Sequence, residues 1–201
     1  MATINLWTTA LRAFVDGVCP TASIDRGTPA IQGVHVTIDR DRLRMMATDR
    51  FAVAIGSFGC ITEGEGSITV PVKQLKQMSR GKGRVQLTIG EQLTAQTEDT
   101  ETRVGPVAGE YPDLVKMVER LGLDFQPGPT AARGFGPDRL KVLSGIPVNV
   151  WAQASGGEHD EPAGFTGEQA VDGGTIRWLV VLMPVKVPDH GWCHEVLRSV
   201  L

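Results

Sequence analysis

The chain has 201 residues, of which 41% are hydrophobic and 21% are charged, and its formal net charge is -3. These values are typical of a globular protein and exclude a disordered chain, and the length allows one large domain or two small ones. The charge argues against a protein that neutralises DNA phosphates over its whole surface. A contact with nucleic acid would need basic residues gathered on one face.

The cysteines are Cys19, Cys60 and Cys193, and no two of them have CxxC spacing. An odd number without that spacing argues against a disulfide framework or a zinc knuckle and indicates a reducing compartment. The N-terminus lacks a basic segment followed by an apolar run, and no apolar run approaches the roughly 20 residues that span a bilayer. We therefore expect a cytoplasmic protein that is neither exported nor inserted in a membrane.

The first predicted elements are a helix and a hairpin. Apolar residues recur every three or four positions from Leu6 to Val18, which predicts an amphipathic helix that ends at Cys19 and Pro20. Residues 34–49 then alternate apolar and polar side chains on both sides of a polar turn, which is the pattern of a hairpin.

The same unit recurs in the middle of the chain. A short strand at residues 68–71 leads into a second helix, with Pro71 in its first turn, where a missing N–H is tolerated. This helix is predicted to end near Gly81, and a second hairpin follows at residues 85–99.

A third and more eroded copy follows. Its helix is predicted from residue 135 to Gly145, and its strands are predicted at residues 148–154 and 176–187, joined through an acidic loop. Repetition of one unit predicts an α+β fold in which short helices lie on antiparallel sheets.

Basic residues mark one side of the predicted helices. Three of them in the second helix are three and four residues apart, so they share one face, and others join them if the three helices line a common surface. A sequence-independent contact with duplex phosphates fits this pattern, and a solvated helix face is the alternative. No aromatic residue is interleaved with these charges, which disfavours base stacking on single strands. The candidate DNA-binding residues are Arg12, Lys73, Lys76, Arg80, Lys82, Arg139 and Lys141.

Several short motifs, taken in order, resemble those of the bacterial sliding clamp, the DNA polymerase III beta subunit. Four motifs resemble parts of its middle domain: TPAIQGV, ATDRF, SITVP and GEYPD, which begin at residues 28, 47, 67 and 109. The second half of its last domain is resembled by FGPDRL and VLMPVKV, which begin at residues 135 and 181. The resemblance, closest to actinobacterial or phage versions, implies a DNA-clamp fold that lacks a first domain and the leading half of the last one.

The resemblance also divides the chain. Residues 1–113 would form a clamp-like domain, residues 114–133 a connector and residues 134–188 a partial clamp domain. Residues 189–201 would form a C-terminal tail whose apolar residues suggest a short amphipathic helix. The tail would pack over a sheet edge or fold back into the cleft described next.

In the resembled family, replication and repair proteins dock short linear motifs into a cleft between the middle and last domains. Ala52 stands where the family usually has a basic residue, and Arg139 where it often has an aromatic one. A buried last strand is the alternative interpretation of residues 181–185. The cleft residues implied by matching positions are Thr48, Arg50, Phe51, Val53, Gly136, Arg139, Val181, Leu182, Met183, Pro184 and Val185.

The resemblance implies a processivity factor that associates with duplex DNA and tethers a replicative polymerase. It would lie on the nucleoid, or in the host cytoplasm if phage-encoded. Other proteins with clamp-binding motifs are implied partners, and a clamp loader is a further candidate. Three units per chain would close a ring only as a homo-oligomer. The alternative is a non-encircling clamp mimic that binds and modulates replication proteins.

We expect no enzymatic activity, metal or cofactor. His190, Cys193 and His194 lie at helical spacing, but no fourth ligand is close in sequence. The acidic run 158–161 lacks the alternating ligands of a calcium loop. The sequence also has no phosphate-binding P-loop, no nucleophile elbow and no HExxH motif.

Overall fold

The computed structural model describes residues 1–121, 140–147, 150–153 and 162–183. The helices are α1 (Thr8–Val18), α2 (Val72–Met78) and α3 (Leu114–Arg120), with short 3-10 helices at Cys19–Thr21, Pro29–Ile31 and Lys141–Gly145. The strands are β1 (Ala2–Trp7), β2 (Gly33–Asp39), β3 (Arg42–Thr48), β4 (Ala52–Gly59), β5 (Thr62–Glu63), β6 (Gly66–Pro71), β7 (Arg84–Ile89), β8 (Leu93–Gln96), β9 (Glu101–Val104), β10 (Val150–Gln153), β11 (Ala163–Val171) and β12 (Gly174–Leu182).

The strands form two antiparallel sheets. The five-stranded sheet has the order β5-β1-β7-β8-β9, and the seven-stranded sheet has the order β10-β11-β12-β4-β3-β2-β6. Both predicted hairpins are confirmed, as β2 with β3 and β7 with β8. The predicted α+β arrangement of short helices with antiparallel sheets is therefore confirmed.

One main core joins the two sheets and the helices. Its fully buried members include Ile4 and Leu87 from the five-stranded sheet, Leu43 from the seven-stranded sheet, and Leu11 and Phe14 from α1. In β1, β2 and β7 the residues that enter this core alternate with residues of the outer face, as period-two patterning requires. Helices α1 and α2 bury one side in this core and expose the other, where Arg12, Asp16, Lys73 and Lys76 lie.

Close packing fixes the position of α1 on the seven-stranded sheet. The Phe14 ring lies edge-on to Phe58, with centroids 6.5 Å apart, and 5.7 Å from the ring of Trp178. Gly17 and Gly56 make room for that indole, since a Cβ at either position would lie 2.4 Å or 2.6 Å from a Trp178 ring carbon.

The seven-stranded sheet joins strands from two parts of the chain that the sequence places in separate domains. Strand β12 pairs with β4 in a register that runs from Ile176 opposite Phe58 to Leu182 opposite Ala52. The sheet is therefore continuous across this junction, and the domain boundaries themselves remain a prediction.

Two predicted element boundaries were wrong. Leu6 belongs to strand β1 rather than to the first helix. Trp7 keeps an extended backbone with ψ of 144°, so α1 begins only at Thr8. Strand β6 ends at Pro71, as predicted, but Pro71 is the extended N-cap residue of α2 rather than a residue of its first turn.

The third hairpin was also predicted incorrectly. Its strand β10 pairs with β11, which the sequence did not predict, and β12 turns back from β11 at Asp172 and Gly173. The predicted start of the third helix at residue 135 lies outside the described residues. The described 3-10 helix ends at Gly145, as predicted.

Within the described ranges, no helix is long and apolar enough to cross a membrane. The same residues contain no group of three or more histidine, cysteine or acidic side chains placed to hold a metal ion. His190, Cys193 and His194 lie outside them.

Candidate functional site

Three helical segments lie side by side on the solvent side of the core. The Arg12 guanidinium in α1 donates to the carbonyl oxygens of Ser79 and Gly81 beyond α2, both at 3.4 Å. On the other side of α1, Gly145 of the 3-10 helix fits so closely that a Cβ there would lie 2.5 Å from the Asp16 carbonyl oxygen. Helix α1 is therefore the middle segment of this surface.

We call this surface the helical face, formed by residues 8–21, 72–84 and 140–147. Its single acidic residue is Asp16. In the part of the chain that the structure describes, no ion pair involves the six candidate residues that lie on it. Those residues are all exposed: Arg12, Lys73, Lys76, Arg80, Lys82 and Lys141. The structure thus brings them together on adjoining segments, whereas Arg139 lies outside the described residues.

An aromatic side chain stands at one end of the helical face. The Arg84 guanidinium carbon lies 5.1 Å from the centre of the Trp7 ring, and Trp7 is 36% exposed. The backbone N–H and the hydroxyl of Thr8 both donate to the Gly83 carbonyl oxygen, at 2.9 Å and 3.1 Å, and hold the two chain segments together. This aromatic residue was not predicted to lie among the charges, because only the pairing of β1 with β7 brings it there.

The two predicted walls of the partner cleft meet on the outer face of the seven-stranded sheet. Val53 of β4 lies opposite Val181 of β12, and the Met183 N–H donates to the Phe51 carbonyl oxygen at 2.8 Å. Leu182 points the other way, is fully buried in the main core, and so does not line this face. Gly136, Arg139, Pro184 and Val185 lie outside the described residues.

The turn between β3 and β4 is held by its own polar side chains. The Asp49 carboxylate accepts from the N–H groups of Phe51 and Ala52, at 2.9 Å and 2.7 Å. The Thr48 hydroxyl donates to the Ala52 carbonyl oxygen at 2.8 Å and accepts from the Arg50 N–H at 3.1 Å. Buried Thr48 therefore shapes the turn, while Phe51 at its tip is 52% exposed.

Helix α3 covers part of this outer face and was not predicted. Leu114, which is 2% exposed, packs with Met46, Val53, Ile55 and Val181. We call these five residues the outer cluster. Helix α3 could have been predicted from the helical spacing of the apolar residues 114, 115, 118 and 121, which follow Asp113. The Asp113 carboxylate caps the helix by accepting a hydrogen bond from the Lys116 N–H at 3.0 Å.

Large apolar side chains remain accessible around the outer cluster. Met117 of α3 is 40% exposed and Met183 at the end of β12 is 36% exposed, in addition to Phe51. An apolar surface of this kind, set on a rigid sheet, suits the apolar side chains of an incoming peptide.

The segment before α3 is fixed to the same sheet. The rings of His35 and Tyr111 stack with centroids 4.7 Å apart, and the Tyr111 hydroxyl donates to the Met46 carbonyl oxygen at 3.2 Å. Burial lowers the pKa of His35 and raises that of the Tyr111 hydroxyl, so both side chains are neutral at pH 7. His35, Met46 and Tyr111 line a groove of about 890 Å³ beside the outer cluster.

Comparison with known proteins gives consistent matches. The family model described as "DNA polymerase III beta subunit, central domain" matches residues 5–113. The DNA polymerase III beta subunit of Thermotoga maritima is 17% identical, with a TM-score of 0.70 over 93% of this chain and 66% of that one. A putative beta subunit from Eubacterium rectale is 14% identical, with a TM-score of 0.72 over 92% of this chain and 66% of that one.

The DNA polymerase sliding clamp of Pseudomonas aeruginosa is 15% identical, with a TM-score of 0.69 over 92% of this chain and 67% of that one. No curated protein matches the chain. The chain thus spans about two thirds of the length of these solved structures and shares their fold. Because the family model matches more than half of its residues, the chain belongs to the DNA polymerase III beta subunit family.

Proposed function

We propose that the chain is a sliding-clamp processivity factor that holds duplex DNA against its helical face and tethers a polymerase through the exposed apolar residues around its outer cluster. The observation that carries the proposal is the segregation of charge. In a chain of net charge -3, the helical face has six exposed candidate basic residues and one acidic residue. Such a surface attracts phosphates of any sequence, because point charges on helices contact the backbone rather than the base edges.

The outer cluster supports the second half of the proposal. It lies across the seven-stranded sheet from the core, while the helical face lies on the core's solvent side, so DNA and a peptide would not compete for one surface. The exposed Phe51, Met117 and Met183 offer apolar contacts to a short linear motif of a polymerase or another replication protein. A clamp loader would be a further partner of the assembled protein.

Encirclement of DNA would require several copies of the chain. Among the described residues, the edge strands are β5 and β9 in the five-stranded sheet and β10 and β6 in the seven-stranded sheet, and strand edges are natural sites for pairing between chains. A closed ring of identical subunits is the expected form of such pairing. The protein would have no enzymatic activity of its own in this role.

The second candidate function is a non-encircling clamp mimic that binds replication proteins and modulates them. The exposed apolar residues Phe51, Met117 and Met183 favour it, because they could bind a replication protein without a closed ring. Multi-angle light scattering at micromolar concentration, combined with fluorescence anisotropy on a labelled blunt duplex, separates the two. A clamp gives a ring-sized oligomer that binds duplex with a steep salt dependence. A persistent monomer would contradict the clamp proposal and support the mimic.

A further inference from the structure

A second groove, of about 540 Å³, opens beside Trp7 on the outer face of the five-stranded sheet. Strands β1 and β7 form its floor and pair their outward residues across the ladder. Trp7 lies opposite Arg84, and Asn5 lies opposite Gln86. The volume is in the range of small-ligand sites, about 300–1,000 Å³.

The chemistry of this groove, which we call the Trp7 groove, suits a nucleobase. The Arg84 guanidinium lies over the Trp7 ring, and a flat cation held in that way offers a further stacking surface to a planar base. The amides of Asn5 and Gln86 can each donate and accept hydrogen bonds at a base edge.

Two carboxylates of the groove favour particular bases. Asp172 and Glu63 line it, and Asp172 already accepts a hydrogen bond from the Thr9 hydroxyl at 2.7 Å. Carboxylates repel phosphate, but they accept from exocyclic amino groups such as the N4 amine of cytosine. The interior of the groove is therefore suited to a base, and its basic end is suited to a phosphate.

That basic end is continuous with the helical face. Lys82 and Arg84 lie on the short connection from α2 to β7, and Gly83 between them accepts both hydrogen bonds from Thr8 at the start of α1. A strand that leaves a duplex on the helical face would pass Lys82 before it reaches Trp7.

We propose that the Trp7 groove binds an unpaired nucleotide of single-stranded DNA where it leaves the duplex, and that it prefers cytosine to thymine. Thymine lacks the exocyclic amine from which the carboxylates would accept a hydrogen bond. The position of the nucleotide next to a duplex rests on the proposed function, whereas its binding in the groove does not.

The test compares two labelled hairpin duplexes by fluorescence anisotropy with the full chain. One hairpin is blunt, and the other carries a three-nucleotide overhang of deoxycytidine. Stacking of one base on an aromatic platform is expected to tighten binding about tenfold. Trp7→Ala should reduce the affinity for the overhanging hairpin to that for the blunt one, and Trp7→Phe should restore most of the gain from the overhang. A deoxythymidine overhang should gain several-fold less than the deoxycytidine one.

Lys76→Ala is the matched control on the helical face, and it should weaken both hairpins by the same factor. Arg84→Gln, at an exposed position, should reduce the gain from the overhang if Trp7→Ala fails to fold in a thermal melt. An equal affinity for blunt and overhanging hairpins would overturn the proposal, and so would a loss that Trp7→Ala causes on both alike.

A free deoxycytidine oligonucleotide separates the two proposals. If the chain binds it in a Trp7-dependent manner but ignores blunt duplex, the groove stands and the duplex-binding function fails. If the chain binds blunt duplex but not the oligonucleotide or the overhang, the duplex function stands and the groove proposal is wrong.

Discussion

Val53 and Val181 lie directly opposite each other on neighbouring strands, are 5% and 3% exposed, and are both covered by Leu114. Through this pair, two segments that are far apart in sequence share one sheet and one apolar cluster. The candidate peptide surface is therefore built on a continuous sheet, which holds its apolar residues in fixed positions without the peptide.

Leu114→Ala tests whether α3 is held by the outer cluster. Removal of a fully buried leucine side chain is expected to cost about 2–4 kcal/mol of unfolding free energy, since a cavity remains beneath the helix. Met117→Ala, on the exposed side of the same helix, should cost less than about 0.5 kcal/mol. Urea denaturation followed by circular dichroism measures both, and similar losses for the two variants would show that Leu114 does not anchor α3.

Gly56→Ala tests the packing of Trp178 and Phe14. A Cβ at residue 56 would lie 2.6 Å from a ring carbon of Trp178 and 2.7 Å from one of Phe14. Because both rings are buried, we expect a loss of about 1–3 kcal/mol of stability. A Cβ at Gly59, in the same strand, would meet no atom within 4 Å, so Gly59→Ala should be nearly neutral. Thermal melts measure both variants. Equal melting temperatures would contradict this account of the core.

Met117→Asp tests the exposed apolar residues around the outer cluster as a docking surface. The probe is a fluorescein-labelled peptide that carries the clamp-binding motif of a DNA polymerase. A charge placed beside the bound apolar side chains should weaken binding about tenfold, because burying an unpaired charge costs free energy. Ile61→Asp is the matched control at a residue that is 93% exposed and lines the Trp7 groove instead. Peptide affinity that is insensitive to Met117→Asp would place the docking surface elsewhere.

Lys73→Gln combined with Lys76→Gln tests the helical face. Each lost phosphate contact reduces the slope of log affinity against log salt by about 0.9, so the double variant should reduce it by about 1.8. Arg103→Gln combined with Arg177→Gln removes the same charge from exposed sites that already pair with Glu101 and Glu168. An equal fall in slope for both double variants would mean that net charge, and not the helical face, attracts DNA.

The sequence predicted the elements whose signals are local. The alternation of Val34, Val36 and Ile38 with polar residues marked β2, because each of these side chains enters the core. Strand β11 escaped prediction because Gly164 and Gly167 interrupt its apolar pattern. Pairing between distant strands leaves no local signal, so the stacking of Arg84 on Trp7 was visible only in three dimensions.

Topological trapping tests whether several copies of the chain encircle duplex DNA. Linear DNA is threaded by incubation with the protein and then ligated into a closed circle, so no loader is needed. The complex is washed at high salt, which removes surface-bound protein because phosphate contacts weaken steeply with salt. If the chain forms a closed ring around the duplex, we expect the protein to stay on the closed circle and to be released when a restriction enzyme cuts it. Loss of the protein in the wash, or equal retention on circular and linear DNA, would contradict encirclement.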